Sequence, residues 1–232
     1  MKQLLLDLTA YPAPTFANFV PGRNAEAVAA LRAAAEGRAV DRVIHLWGDS
    51  GAGKSHLLGA VGMQVKERDP DFGIYEASGF PPHDVELAPE DLGPILLVDH
   101  IDNLGEKGQA LLFNAFNART FELLVVAGRA APAHIGLRRD LATRLATGLT
   151  FRILPLTDDE KVAALVAHAA VRGFVLAEAV ARYLVTHTRR EMKTLITTLD
   201  AIDRYSLETG RPVTLPLIKD AIKAALDGEA AA

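Results

Sequence analysis

The 232-residue sequence contains no cysteine, which excludes disulfide bonds, a thiol nucleophile and cysteine-based metal sites. No apolar run reaches the roughly 18 residues that a membrane helix requires. The net charge is −4, whereas a stand-alone DNA-binding domain is usually basic. At the N-terminus only Lys2 is positive and Asp7 interrupts the apolar run, so a secretion signal is not predicted. We therefore expect a soluble, cytoplasmic protein without membrane contact and without strong DNA binding of its own.

Half of the residues are hydrophobic, which is enough for a sizeable core. Apolar runs of strand length alternate with helical patterns up to about residue 154, and this alternation predicts an α/β core with a parallel sheet. From Thr157 the strand patterns stop, and Thr157 with Glu160 forms a capping box that opens a helix. The helices predicted after this point lie at about 157–172, 177–187, 190–208 and 214–226.

The stretch GDSGAGKS, residues 48–55, matches the phosphate-binding pattern G-x4-G-K-[ST] and lies between an apolar strand and a helix. Glycines such as Gly48, Gly51 and Gly53 let backbone N–H groups turn toward phosphate oxygens, and the helix N-terminus favours negative charge there. Lys54 is expected to reach the β- and γ-phosphates, and Ser55 to hold Mg²⁺ through its hydroxyl. The sequence therefore predicts a nucleotide site.

The apolar run PILLVDHI, residues 94–101, predicts a strand, and the overlapping stretch ILLVDHID fits an apolar strand that ends in an aspartate, which places Asp99 beside the predicted Mg²⁺. P-loop ATPases that hydrolyse well usually carry an acidic residue at the next position, which here is His100. Histidine at neutral pH does not supply a fixed negative charge. Asp102 is an alternative acid one turn away, and His100 could equally be a surface residue at a strand end. We predict nucleotide binding with slow or no intrinsic hydrolysis.

The order of these motifs resembles the DnaA-like AAA+ family over residues 15–226. The stretch TFANFVPGRNAEAV is similar to the family's segment beside the adenine, GKSHLL with His56 is similar to its P-loop helix, and DLATRL is similar to its arginine-bearing segment. The resemblance implies a P-loop AAA+ parallel-sheet core with a small all-helical C-terminal lid. It also implies that the cofactors are ADP or ATP with Mg²⁺.

The same resemblance implies roles for individual residues. Arg144 matches the arginine finger that acts on a neighbour's nucleotide, with Arg138 and Arg139 as nearby alternatives. Arg190 matches the lid arginine called sensor 2, and Arg189 is its rival in register. The sensor 1 position, which normally carries a polar side chain, falls on Gly128, so ADP is the expected productive ligand.

The stretch QLLLDL resembles the peptide by which related proteins dock on the DNA sliding clamp, with Gln3, Leu4, Leu6 and Leu8 as the docking residues; a structural strand is the alternative. Neither an N-terminal oligomerisation domain nor a DNA-reading helix-turn-helix is expected, as in regulatory family members that inactivate DnaA. The implied partners are DnaA, the clamp (the beta subunit of DNA polymerase III) and, through the clamp, DNA; a homodimer is left open. The predicted division is 1–14 clamp-binding peptide and leash, 15–155 nucleotide-binding core, 156–228 lid and 229–232 tail.

Two other functions compete with such a regulator. A loader of helicase or transposase, similar to DnaC or IstB, predicts a catalytic acid after Asp99 and a basic N-terminal extension, and the sequence has neither. A P-loop small-molecule kinase needs an acceptor site and has no need of the helical C-terminal part. The sequence favours the regulator and leaves its own ATPase activity undecided.

Overall fold

The computed structural model describes residues 13–38, 41–68, 72–81, 87–188, 191–211 and 213–218. They fall into two compact units, one spanning residues 13–155 and the other beginning at residue 156. The first is an α/β unit and the second is helical.

Five strands of the first unit form one parallel sheet in the order β2-β3-β4-β1-β5, as the alternating sequence pattern predicts. The strands are Val43–Trp47 (β1), Gly73–Glu76 (β2), Ile95–Asp99 (β3), Leu123–Gly128 (β4) and Leu149–Arg152 (β5). The three central strands are almost wholly buried, because helices cover both faces of a parallel sheet and leave little room for polar side chains. The apolar run predicted as a strand over 94–101 ends its pairing at Asp99, since His100 turns the chain with a φ of 51°.

Helices pack on both faces of this sheet. They are Ala25–Ala35 (α1), Lys54–Lys66 (α2), Glu106–Ala118 (α3) and Arg139–Leu145 (α4). Leu31 of α1 and Leu57 of α2 are fully buried in one core with Ile44. Leu112 of α3 and Leu141 of α4 are buried in a second core on the opposite face. The helices thus hold the strand ends in a fixed three-layer frame.

The buried side chain of Asn24 ties the start of the first unit to its end. Its Oδ1 accepts a hydrogen bond from the Leu154 N–H at 2.8 Å, and its Nδ2 donates to the Leu154 carbonyl at 2.9 Å. Arg23 donates to the neighbouring Pro155 carbonyl at 3.0 Å. Because the buried amide both donates and accepts a hydrogen bond, these bonds offset its desolvation cost and hold the chain just beyond β5 in place.

The second unit contains the helices Asp158–Val171 (α5), Glu178–His187 (α6) and Met192–Thr209 (α7), followed by helical residues 215–218. The predicted capping box is confirmed: Thr157 Oγ1 accepts from the Glu160 N–H, and Glu160 Oε2 accepts from the Thr157 N–H. Leucines such as Leu165, Leu184 and Leu199 form its core. None of the helices among the described residues is long and apolar enough to cross a membrane.

Candidate nucleotide site and arginine surface

The carboxyl edge of the sheet gathers the residues predicted from separate motifs. Trp47, the last residue before the P-loop, lies opposite Gly128 in the β1–β4 register. Asp99 at the end of β3 lies opposite Glu76 at the end of β2. Since β4 lies between β1 and β3, the P-loop, position 128 and Asp99 follow one another along this edge. Ligands of open α/β sheets bind at such an edge.

The P-loop needs its glycines for two separate reasons. Gly48, Gly51 and Gly53 have φ angles of 144°, 73° and 102°, which side chains rarely tolerate. In addition, a Cβ on Gly48 would lie 2.3 Å from the Ile153 carbonyl oxygen, and one on Gly53 would lie 2.7 Å from the Phe19 ring. The loop is therefore shaped by backbone alone, as a phosphate cradle made of N–H groups requires.

The ammonium of Lys54 closes this loop. Its Nζ donates hydrogen bonds to the carbonyls of Gly48 and Asp49, each at 2.8 Å. Burial lowers the pKa of Lys54, and the nearby carboxylates of Asp99, Asp102 and Asp49 act against that effect. Because an ammonium has three donors, the two carbonyls leave one N–H for a phosphate oxygen.

The donor set fits a nucleotide phosphate with Mg²⁺. The Ser55 hydroxyl is exposed at the start of α2 and makes no hydrogen bond within the described part of the chain. Asp99 is a carboxylate of which only 15% of the side chain is exposed. A hydroxyl, a carboxylate and phosphate oxygens are the hard ligands that Mg²⁺ prefers. When bound, Mg²⁺ would neutralise part of the phosphate charge, with Ser55 and Asp99 as its protein contacts.

The segment before α1 packs on the P-loop helix through His56. His56 Nε2 lies 3.0 Å from the Thr15 carbonyl oxygen, and its ring centroid lies 5.5 Å from that of Phe19. Thr15 and Asn18 are locked by reciprocal hydrogen bonds between side chain and backbone. The family resemblance implies that this segment lies beside the adenine, and the structure brings it against both Gly53 and His56.

His100 is paired with a residue that sequence reasoning missed. Its Nδ1 lies 2.9 Å from Glu76 Oε1, and its backbone N–H donates to Asp99 Oδ1 at 2.8 Å. The three side chains form a compact group in which the ligand atoms lie within 4.8 Å of one another. The available signal was that Glu76 ends the strand-like stretch before Asp99, but only the parallel register of β2 and β3 makes them neighbours.

Asp102 turns toward the end of β4. Its Oδ1 accepts a hydrogen bond from the Arg129 N–H at 2.6 Å, and its Oδ2 lies 3.5 Å from Arg129 Nε. A Cβ on Gly128 would lie 2.6 Å from the same Oδ1. The acid that the sequence left as an alternative water activator is therefore engaged with the backbone, in the place of the missing side chain of Gly128.

Arg144 lies in the last turn of α4, on a separate surface. Its guanidinium carbon is 5.2 Å from the centroid of the Phe113 ring on α3, and that of Arg138 is 5.7 Å from the same ring. Arg138 is paired with Asp140, whereas Arg144 has no ion-pair partner among the described residues. Together with Arg139 they line an open cavity of about 870 Å³, which we call the arginine surface.

Some predicted site residues lie outside the described part of the chain. These are the lid arginine Arg190 with its rival Arg189, and the predicted docking residues Gln3, Leu4, Leu6 and Leu8. The P-loop residues, His56, Asp99 and Arg144 are described.

Comparison with known proteins agrees with this geometry. A model of the bacterial DnaA ATPase domain matches residues 11–79, and a model described as Hda, lid domain matches residues 158–222. Domain III of Thermotoga maritima DnaA superimposes with a TM-score of 0.71 at 22% identity, covering 93% of this chain and 98% of that one. AMPPCP-bound DnaA from Aquifex aeolicus superimposes with a TM-score of 0.67 at 24% identity, covering 84% of this chain and 66% of that one. A Thermotoga maritima RuvB mutant superimposes with a TM-score of 0.66 at 18% identity, covering 92% of this chain and 73% of that one.

A parallel sheet in this order, with a P-loop after β1, an aspartate at the end of β3 and a helical unit after β5, defines an AAA+ nucleotide-binding protein. With both family models matching in the corresponding units, the chain is an Hda-like member of the DnaA family of AAA+ proteins. It is thus a DnaA-related protein of replication control.

Proposed function

We propose that this protein restrains replication initiation by docking on the DNA-loaded sliding clamp and stimulating hydrolysis of DnaA-bound ATP. In this proposal Arg144 acts in trans on the nucleotide of DnaA. The protein's own nucleotide site holds ADP with Mg²⁺, and the bound ADP sets the conformation of the protein. This site hydrolyses little ATP itself.

The proposal rests on one observation, the surroundings of the Arg144 guanidinium. Its guanidinium is half-buried, rests against the Phe113 ring and has no carboxylate partner in the described part of the chain. Guanidinium–ring contact orients the cation without neutralising it. The full positive charge is then available to a partner's phosphate, where an arginine stabilises the charge of the transition state by about 10³- to 10⁵-fold in rate.

The nucleotide site of this chain supports a holding role. The residue after Asp99 is His100, whose ring is paired with Glu76, and Gly128 has no side chain to offer the γ-phosphate. Asp102, the other nearby acid, is bound to the Arg129 N–H. The first two positions thus lack a carboxylate, and that of Asp102 is held by Arg129 with its second oxygen buried, so none of the three presents an accessible carboxylate to orient water. The same feature argues against the helicase or transposase loader, which depends on its own hydrolysis.

The docking step rests on sequence. Gln3 offers an amide, and Leu4, Leu6 and Leu8 offer apolar anchors, in a peptide joined to the core by the short stretch AYPAP. Such a peptide binds weakly alone, but a clamp with two equivalent sites could engage two copies and raise the effective concentration. Docking would bring Arg144 to DnaA at the origin only while the clamp is on DNA.

The deciding experiment mixes DnaA–ATP with clamp-loaded DNA and this protein, and follows ADP formation. Arg144→Ala should remove the stimulation, because the trans-acting charge is lost. Arg139→Ala is the matched control, since it removes the same charge from the same helix at an exposed position. It should retain most of the stimulation.

Binding of ADP to the isolated protein should be equal in both variants, because neither residue belongs to the P-loop. If Arg144→Ala stimulates DnaA as well as the parent protein does, the proposed mechanism is wrong. If both arginine variants lose stimulation equally, general charge on the arginine surface, and not a finger at position 144, is responsible.

A further inference from the structure

We propose that the carboxylate of Asp102 makes the nucleotide site select a nucleoside diphosphate over a triphosphate. This inference rests on the proposed nucleotide-holding role and assigns its specificity to one residue. The carboxylate supplies a fixed negative charge where a γ-phosphate would otherwise meet a neutral polar side chain.

The placement of Asp102 depends on Gly128. The Asp102 Oδ1 atom stands 2.6 Å from the position that a Cβ at residue 128 would take, so the carboxylate and a side chain there exclude each other. The Arg129 N–H holds that oxygen at 2.6 Å. The second oxygen, Oδ2, is buried and has no hydrogen-bond partner among the described residues. The Asp102 carboxylate is thus fixed in position through one oxygen, next to the space that a side chain at residue 128 would fill.

The charge of Asp102 reaches the phosphate-binding lysine. The P-loop lysine of such sites contacts the β- and γ-phosphates. The carboxylates of Asp102 and Asp99 both act to raise the pKa of the Lys54 ammonium, against the effect of burial. A γ-phosphate drawn to Lys54 would therefore meet two carboxylates, of which Mg²⁺ can offset the one at Asp99. In a diphosphate the terminal group is the β-phosphate, which the P-loop backbone would hold, so no γ-phosphate has to come near the Asp102 carboxylate.

Arg129 offsets Asp102 only in part. The guanidinium Nε lies 3.5 Å from Asp102 Oδ2, but 74% of the Arg129 side chain is exposed, so water screens its charge. The Asp102 side chain is only 19% exposed and is screened much less. Water therefore screens the charge of Arg129 more than that of Asp102, and the carboxylate is offset only in part. At the separations of neighbouring groups near a protein surface, one such charge changes the affinity for an anion by about ten- to a hundredfold.

The test is the ratio of ADP to AMPPCP affinity, measured by calorimetry at fixed Mg²⁺ on the full chain. The parent should prefer ADP, and Asp102→Asn should shift the ratio toward AMPPCP by about tenfold or more. The asparagine keeps an oxygen for the Arg129 N–H and removes only the charge. The matched control is Glu122→Gln, an equal charge change on an exposed residue about 20 Å away, before the opposite end of β4.

An unchanged ratio in Asp102→Asn, or an equal shift in Glu122→Gln, overturns the inference. If Asp102→Asn does not fold, Arg129→Gln decides instead, since this exposed side chain can be replaced while its backbone N–H remains. Removing the Arg129 charge, which partly offsets Asp102, should shift the affinity ratio further toward ADP. An unchanged ratio, or a shift toward AMPPCP, overturns the inference. Failure of the parent to bind either nucleotide would instead refute the nucleotide-holding role itself.

Discussion

Asp102 and Gly128 form a complementary pair, in which the carboxylate of one takes the space that a side chain on the other would need. The two residues lie on different segments, Asp102 just after β3 and Gly128 at the end of β4. A residue with a side chain at position 128 would therefore displace the Asp102 carboxylate, and the carboxylate in its present position requires glycine at position 128.

The pair predicts that Gly128→Ala destabilises the protein. A methyl group 2.6 Å from Asp102 Oδ1 forces the carboxylate or the strand to move, which costs about 1–3 kcal/mol in the free energy of unfolding. Urea denaturation measures this loss. Gly136→Ala is the control, because nothing lies within 4 Å of a Cβ there. In an Asp102→Ala background the cost of Gly128→Ala should largely disappear, and a cost that persists would show that Asp102 is not the obstacle.

His45 predicts a specific pH dependence of stability. This histidine of β1 is fully buried, neither ring nitrogen has a hydrogen-bond partner in the described chain, and burial lowers its pKa to about 4, against the opposing effect of Asp102. Between pH 6.5 and 4 the unfolded chain therefore holds the proton and the folded chain does not. Stability must fall as pH falls through this window, by about 3 kcal/mol from His45 alone.

Replacing the imidazole should flatten that dependence. In His45→Leu the loss of unfolding free energy between pH 6.5 and 4 should be smaller by about 3 kcal/mol than in the parent. Val126→Ala, at the neighbouring register position on β4, is the control for packing, because it lowers stability at every pH and leaves the slope unchanged. Equal slopes in His45→Leu and the parent would contradict the prediction.

The lid helices contain a partly buried ion network. Arg172 on the C-terminal side of α5 lies 3.2 Å from Asp203 Oδ2 and 3.3 Å from Asp200 Oδ1 on α7. Asp203 is only 7% exposed, so Arg172→Ala would leave a buried carboxylate without its cation. The expected loss in unfolding free energy is about 1–2 kcal/mol, below that of a fully buried pair because Arg172 is 42% exposed.

Arg182→Ala provides the comparison for this network within the same unit. Arg182 pairs with Asp159 and Glu178 at 2.9 Å each, but all three side chains are more than half exposed. Its removal should leave the melting temperature almost unchanged, since exposed pairs contribute little. Equal losses in the two variants would mean that burial does not decide the strength of these pairs.

The predicted docking peptide can be tested by replacing its docking positions and, separately, the positions between them. Replacing Gln3, Leu6 and Leu8 by alanine should abolish binding to an immobilised clamp, because the amide and two apolar anchors are lost. ADP binding should stay intact, since the P-loop is untouched. Leu5→Ala with Asp7→Ala changes only the intervening positions and should keep most of the binding. Loss of binding in this second variant would point to general hydrophobicity or chain conformation in place of a motif.

The elements that sequence predicted well are those determined by local pattern. The apolar runs around β1, β3 and β4 and the glycine spacing of the P-loop are periodicities within a few residues, and the capping box of Thr157 and Glu160 spans one turn. The strand ends were less accurate, because the stop after Asp99 depends on the positive φ of His100 and not on hydrophobicity.

The sequence by itself determined a P-loop, an aspartate-ended strand, an arginine-bearing helix and a helical C-terminal part, because each is encoded by neighbouring residues. Only the tertiary structure decided which charges meet. Glu76 reaches His100 through strand pairing, Asp102 fills the space beside Gly128, and Phe113 supports Arg144 across two helices. These contacts join residues from 24 to 31 positions apart, and no local pattern encodes the packing that brings them together.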